Sequence, residues 1–224
     1  ISIPENVTTI GKGAFFNCHH LENVILPETL AIIGDTVFYN CASLVNIVIP
    51  ENVTIIGSNA FRNCNNLETI IIPERIEEIR WGAFYMCDNL KDITIHSQTP
   101  PSLASSSVFW DTAAELKIYV PTGSVDTYKS ADGWSEYSDN IYAMPIVNFN
   151  SNDGSDIDTI NVAYNTVILE PESPTKIGYV FIAWCIDEDL EIEYDFNTLI
   201  TENITLYAKW TETLEHKYTS NNAL

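Results

Sequence analysis

The chain has 224 residues, 46% of them apolar, which is enough for one large domain or two small ones with packed cores. Its 31 acidic and 10 basic side chains give a formal net charge of −21, which repels phosphate backbones and anionic lipid, so nucleic acid and membrane surfaces are not expected partners. No apolar run reaches the roughly 18 residues of a spanning helix, so no membrane insertion is expected, and five cysteines without a C-x-x-C pair make neither a disulfide framework nor a zinc knuckle. Residues 1–146 carry 17 acids and 7 bases, whereas residues 147–224 carry 14 acids and 3 bases, about twice the acidic density. Because Ile1-Ser2-Ile3-Pro4 falls inside a repeated pattern, the sequence reads as a fragment of something longer.

That pattern has a period of 23 residues without insertion at Pro4, Pro27, Pro50 and Pro73. Phe15, Phe38, Phe61 and Phe84 share the spacing, as do Cys18, Cys41, Cys64 and Cys87, and Leu21, Leu44, Leu67 and Leu90. Gly11, Gly34 and Gly57 also share it, until Arg80 breaks the column. In Leu21-x-x-Val24-x-Leu26-Pro27 alternate apolar side chains point inward from a short strand that the proline ends, which predicts one strand per coil. Val7/Ile10, Leu30/Ile33, Val53/Ile56 and Ile76/Ile79 form a second inward pair, and the phenylalanines fill the centre. One coil cannot bury these faces alone, but stacked coils bury them all.

Ala60-Phe61-Arg62-Asn63-Cys64-x-x-Leu67 followed by Ile70-x-Ile72-Pro73 resembles the BspA-like leucine-rich repeat of bacterial surface proteins, over residues 1–95. Val120-Pro121-x-Gly123-Ser124, continuing through Tyr128, Ala131 and Gly133-Trp134, is similar to the closing segment of such arrays. As a cap it makes physical sense: Ser124 can N-cap a short helix, and Tyr128, Trp134, Tyr137 and Tyr142 can cover the last coil. His96–Trp110, with Pro100-Pro101 and three serines, breaks the period and reads as a degenerate coil carrying a loop. The expected fold is a leucine-rich-repeat solenoid, mostly β, over 1–145, with its C-terminal cap over about 96–145.

From Val147 the pattern changes to Pro171-x-x-Pro174-Thr175-Lys176-x-Gly178-Tyr179-x-Phe181-x-x-Trp184, then Tyr194-Asp195-Phe196 and Thr205-Leu206-Tyr207-Ala208-x-Trp210. Over 147–210 this resembles the Listeria–Bacteroides repeat, which implies a small β-grasp-like module, with Asp153 and Ala183 standing where the family usually has glycine. The alternation Leu190-x-Ile192-x-Tyr194 predicts a strand with one wet face, and 211–224 reads as a linker or tail.

The inward cysteine column is expected to be packed and reduced, and Cys185 to be core. Glu5, Glu28, Glu51 and Glu74 form a straight file of solvated carboxylates rather than a convergent calcium site. Asn150–Asp156 fails the calcium-loop register, and an Asp153-Gly154 hairpin turn is sufficient to explain it. The acids from Asp187 to Asp195 are read as protecting a strand edge. His19, His20, His96 and His216 show no ligand spacing, no catalytic motif is present, and neither cofactor nor metal is expected.

The expected function is a bacterial cell-surface or secreted adhesion protein that contacts a host or extracellular-matrix protein as a monomer, with a place in virulence. The alternatives are a glycan-binding module using Trp110, Trp134 and Tyr137, or the non-catalytic end of a larger surface hydrolase. The candidate partner-binding surface is the outward strand position, Ser2, Ile25, Val48, Ile71 and Thr94, bordered by Asn23, Asn46, Thr69 and Asp92.

Overall fold

A computed structural model describes residues 1–213 and divides the chain into two compact units, Ile1–Met144 and a second beginning at Pro145. In the first unit, Asn23–Val24, Asn46–Ile47, Thr69–Ile72 and Asp92–Ile95 form the front strands of successive coils. Ile32–Ile33, Ile55–Ile56, Glu78–Ile79 and Ser102–Leu103 make a separate parallel ladder. One strand per coil was therefore an undercount. The inward pair after the proline is itself extended, because each inward isoleucine and the residue before it match the next coil in register, as in Ile55↔Glu78 and Ile56↔Ile79.

The phenylalanine column is a continuous stack. Ring centroids lie 5.3 Å apart from Phe15 to Phe38, 5.4 Å from Phe38 to Phe61 and 5.3 Å from Phe61 to Phe84, with all the planes nearly parallel. The backbone supports the same spacing: the Phe38 and Phe61 amides donate to the Ala60 and Ala83 carbonyls of the following coil, both at 2.8 Å. Asparagine follows the phenylalanine by two residues because the chain there is left-handed: φ is 61° at Asn17, 61° at Asn40 and 60° at Asn63, a region asparagine tolerates well. Gly57 is needed for a different reason, since a Cβ there would sit 2.6 Å from the backbone of Gly34.

The cysteines belong to this core. Cys41, Cys64 and Cys87 are fully buried and unbridged, and each thiol donates to a phenylalanine carbonyl of the preceding coil, at 3.1 Å to Phe15, 3.2 Å to Phe38 and 3.0 Å to Phe61. A small apolar residue with one weak donor thus fills the space and satisfies a buried acceptor. In the first coil, which has a single stacked neighbour within the chain, Val7, Ile10, Phe15 and Cys18 remain partly exposed.

Phe109 continues the ring stack 5.7 Å from Phe84, so the irregular segment is a further coil. Ser105 caps its short helix, Ser106–Phe109. Lys117–Val120 and Ile141–Ala143 then extend the front sheet in parallel. The cap is fastened by aromatic donors, two buried and the third half-buried: Tyr128 Oη to the Ser97 carbonyl at 2.9 Å, Trp134 Nε1 to the Pro101 carbonyl at 2.7 Å, and Tyr137 Oη to the Ser106 carbonyl. The short helix Val125–Ser130 follows Ser124, but the Ser124 hydroxyl makes no capping bond and the residue is buried, so the expected side-chain cap is corrected.

In the second unit the strand order is Ile160–Asn161, Ile146–Asn150, Ile204–Glu212, Tyr179–Cys185, with the central pair parallel and both outer pairs antiparallel. This is a β-grasp-like sheet, and among the described residues its crossover carries no helix. Trp184 sits in the core against Phe149 and Phe181. The tail begins later than expected, since the last strand runs through Glu212; His216 lies outside the described residues. The left-handed pair in the first loop is Asn152 and Asp153, at φ 49° and 64°, one residue earlier than an Asp-Gly turn requires. Gly154 is needed for another reason: the Trp210 ring leaves no room for a Cβ there, and the Trp210 indole nitrogen donates to the Ser151 carbonyl at 2.9 Å. Residues 190–194 are not a strand. Asp187 accepts hydrogen bonds from the Glu191 and Ile192 amides, Leu190 takes φ 59°, and the acidic run is a turn that touches the edge strand through one bridge, Cys185 to Glu193.

Two outcomes follow from the stacked core. Phe61→Ala is expected to destabilise the first unit by about 3–5 kcal/mol in denaturant unfolding, because the ring has neighbours on both sides and the coils cannot collapse into the gap. Thiol labelling at pH 8 should be prompt at Cys18 and slow at the buried three until denaturant is added. Burial pushes the Cys41 thiol up to about 11 and the Cys87 thiol up to about 12, and holds Cys64 well above its usual range, so the reactive thiolate is scarce there. Labelling of all four at one native rate would contradict the packing.

Candidate binding surface

Strand alternation fixes the candidate surface. Val24 and Leu26 are buried on either side of Ile25, Ile47 and Ile49 on either side of Val48, and Ile70 and Ile72 on either side of Ile71. The three outward residues are exposed to 63% at Ile25, 76% at Val48 and 39% at Ile71, and no core packing demands that they be apolar. Parallel pairing aligns the border as well, Asn23 with Asn46 and Thr69 with Asp92. Asn23, Asn46 and Thr69 are exposed. Asp92 is half-buried, and burial raises its carboxyl above the usual range while Lys117 and Lys91 oppose the shift.

Thr94 does not join this surface. It is 3% exposed, because in the ladder it lies between Ile71 and Tyr119, two larger side chains that close over a short hydroxyl. The apolar stripe therefore ends at Ile71. A feature absent from the repeat pattern is a break in the front sheet: the first two front strands form one pair, the next four another sheet. At the break a groove of about 360 Å³ opens between Val48 and Ile71, edged by Asn46, Thr69, Glu51 and His96. The phenylalanine stack runs on beneath the break, with 5.4 Å from Phe38 to Phe61, so the core repeat carries no sign of it.

The residues expected to stack on sugar do not converge. Trp134 is fully buried with its indole nitrogen bonded inward, and Tyr137 spends its hydroxyl on Ser106, both because the cap needs aromatic donors to close the last coil. Trp110 alone of the three stays 55% exposed. The glutamate file is exposed; across coils the Glu28 amide donates to Glu5 Oε2 at 3.0 Å, and the Glu5 and Glu28 carbonyls accept from the Thr29 hydroxyl and the Asn52 side-chain amide. Among the described residues no three histidine, cysteine, aspartate or glutamate side chains gather as a metal-holding group. No described helix is long and apolar enough to cross a membrane.

Comparison with known proteins agrees with this architecture. Six copies of the BspA type leucine rich repeat region match residues 1–113, and the Listeria-Bacteroides repeat domain matches residues 146–209. Two Evansella cellulosilytica proteins, both with provisional names as membrane proteins and one of them Gly-rich, are each 40% identical over 78 residues. That stretch is 34% of this chain but 9% and 11% of theirs, so this chain spans only a small part of those relatives. The crystal structure of the T. pallidum leucine-rich repeat protein superposes with a TM-score of 0.51 at 24% identity, covering 64% of this chain and 67% of that one, a likeness of fold. With repeats that account for just over half its length, the chain belongs to the BspA type leucine-rich repeat family and carries a Listeria-Bacteroides repeat behind them, a combination typical of bacterial surface proteins.

Proposed function

We propose that the chain is the adhesive part of a bacterial surface or secreted protein, and that its solenoid holds a host or extracellular-matrix protein against Ile25, Val48 and Ile71. The observation that carries this reading is the exposure of three β-branched apolar residues in one file, with polar residues on their flank. An apolar centre with a polar rim is the anatomy of protein contacts, and the groove between Val48 and Ile71 offers a pocket for one anchoring side chain. Rigidity adds to it, since coils that bond to one another present the surface without an ordering cost on binding. Binding rather than catalysis is favoured by where the most strongly perturbed of the described groups lie: the thiols of Cys41, Cys64 and Cys87 and the hydroxyls of Tyr128 and Tyr137 are raised by burial in the core and cap, not paired in a cleft. Thr94 is left out of the contact set, and Asn23, Asn46, Thr69 and Asp92 remain its rim.

The test is binding of the chain to immobilised extracellular-matrix proteins, alongside the triple variant Ile25→Thr, Val48→Thr, Ile71→Thr. Threonine keeps the branched shape that strands favour, so circular dichroism and melting should stay nearly as in the parent. Affinity should fall at least about tenfold, a loss of about 1.4 kcal/mol. A triple variant that binds as tightly as the parent would remove the strand face from consideration.

A further inference from the structure

A second surface of the solenoid shares no residue with the strand face. The position after each core phenylalanine faces outward, and in consecutive coils it is Phe16, Tyr39, Arg62, Tyr85 and, after the longer coil, Trp110. From Phe16 to Tyr85 these side chains form their own stack. Phe16 and Tyr39 lie 4.8 Å apart and nearly parallel, and the Arg62 guanidinium sits 5.6 Å from the Tyr39 ring centre and 4.5 Å from that of Tyr85. Arginine between two aromatic faces is held flat by cation–π attraction, so its remaining donors are fixed in direction.

The stack ends beside an unusual residue. Lys12, Asp35, Ser58 and Trp81 occupy one repeat position, polar in three coils and tryptophan in the fourth, so the fold does not require an indole there. Trp81 is nevertheless present and 47% exposed, facing the same recess as Trp110. Tyr85 and Arg62 line the recess between them, and Ser105, Ser106 and Ser107 supply a hydroxyl-rich edge. The Ser105 and Ser107 hydroxyls are already 2.6 Å apart, a pair that can both donate and accept. The recess measures about 490 Å³, within the roughly 300–1,000 Å³ of small-molecule sites.

Charge narrows the ligand. In a chain of net charge −21, the ion pairs among the described residues are Arg80–Glu78, Lys91–Glu68 and Lys176–Asp153. Among the described residues Arg62 has no carboxylate partner; its polar contact is the Asn59 side chain at 3.4 Å, and its Nε is buried without a partner. We propose that this recess binds a carboxylated saccharide, such as a sialic or uronic acid residue. The apolar C–H face of the sugar ring stacks on Trp81 and Trp110, the serines meet its hydroxyls, and the terminal nitrogens of Arg62 meet its carboxylate. Planar bidentate pairing of guanidinium with carboxylate suits such a ligand, and the fixed stack makes it cost little to form. An acidic peptide would satisfy Arg62 but leave the hydroxyl edge and the two indole faces without a matched ring, so a sugar fits more of the site.

The experiment is a tryptophan-fluorescence titration of the whole chain with sialyllactose, with a glucuronate-containing oligosaccharide, with lactose and with an acidic peptide. Two variants accompany it. Trp81→Ser restores the residue of the preceding coil, and Arg62→Tyr keeps an aromatic stack like that of Phe16 on Tyr39 while removing the charge. Saturable binding of at least one acidic saccharide is expected, weakened about tenfold or more in each variant with the melting temperature nearly unchanged. Lactose should bind about tenfold more weakly than sialyllactose. If Arg62→Tyr lowers the melting temperature, Trp81→Ser decides. No saturation by either acidic saccharide up to about 10 mM, equal affinity for lactose, preference for the peptide, or parental affinity in Trp81→Ser would overturn the proposal.

Discussion

Everything in the first unit depends on contact between residues one repeat apart. A single coil buries too little to fold, since the open faces of its inward side chains are covered only by neighbouring coils. Stacking supplies those partners three times over: ring on ring through Phe38, Phe61 and Phe84, thiol to carbonyl from each buried cysteine, and amide to carbonyl along the coil. Because all three use the same spacing, a coil displaced from its neighbour loses them together. That shared spacing is why the outward residues also line up, and any binding surface on the solenoid is a by-product of core register.

Both candidate surfaces show this coupling. Ile25 and Val48 follow directly on the paired strands Asn23–Val24 and Asn46–Ile47, Ile71 lies across the break in that sheet at the same repeat position, and the column containing Arg62 is aligned by the phenylalanines one residue earlier. Evolution can change an outward position without touching the core, as Trp81 in a column of Lys12, Asp35 and Ser58 demonstrates. Both proposals therefore rest on positions where the repeat is indifferent, and the informative residues are those that depart from the column.

The sequence made the core legible because period and burial coincide: the phenylalanine, cysteine and leucine columns are inward in the structure from the second coil onward. Phe109 escaped the period because its coil is longer, yet its ring occupies the next place in the stack. Trp134 covers the last coil as its sequence context implies, which removes it from any sugar-stacking role, whereas Thr94 departs from its expected exposure. Alternation says which way a side chain points, not what closes over it, and Tyr119 comes from a segment outside the repeat. The stretch from Leu190 to Tyr194 alternates like a strand, but the Asp187 carboxylate captures two backbone amides and turns the chain, a local competition that hydrophobic pattern does not register. The break in the front sheet and the recess between Trp81 and Trp110 arise from backbone pairing and from neighbours in adjacent coils, and neither has a one-dimensional signature.

Native-state hydrogen exchange tests the dependence on coil contact most directly. The Phe38, Phe61 and Phe84 amides donate to carbonyls of the following coil, at 2.8, 2.8 and 3.0 Å. If stacking creates one cooperative unit, these three should be among the slowest amides and share one opening free energy, while the Phe15 amide of the half-exposed first coil exchanges faster. Exchange of the three at unrelated rates, each as fast as loop amides, would mean that coils open independently and that contact between neighbours is not what holds the solenoid together.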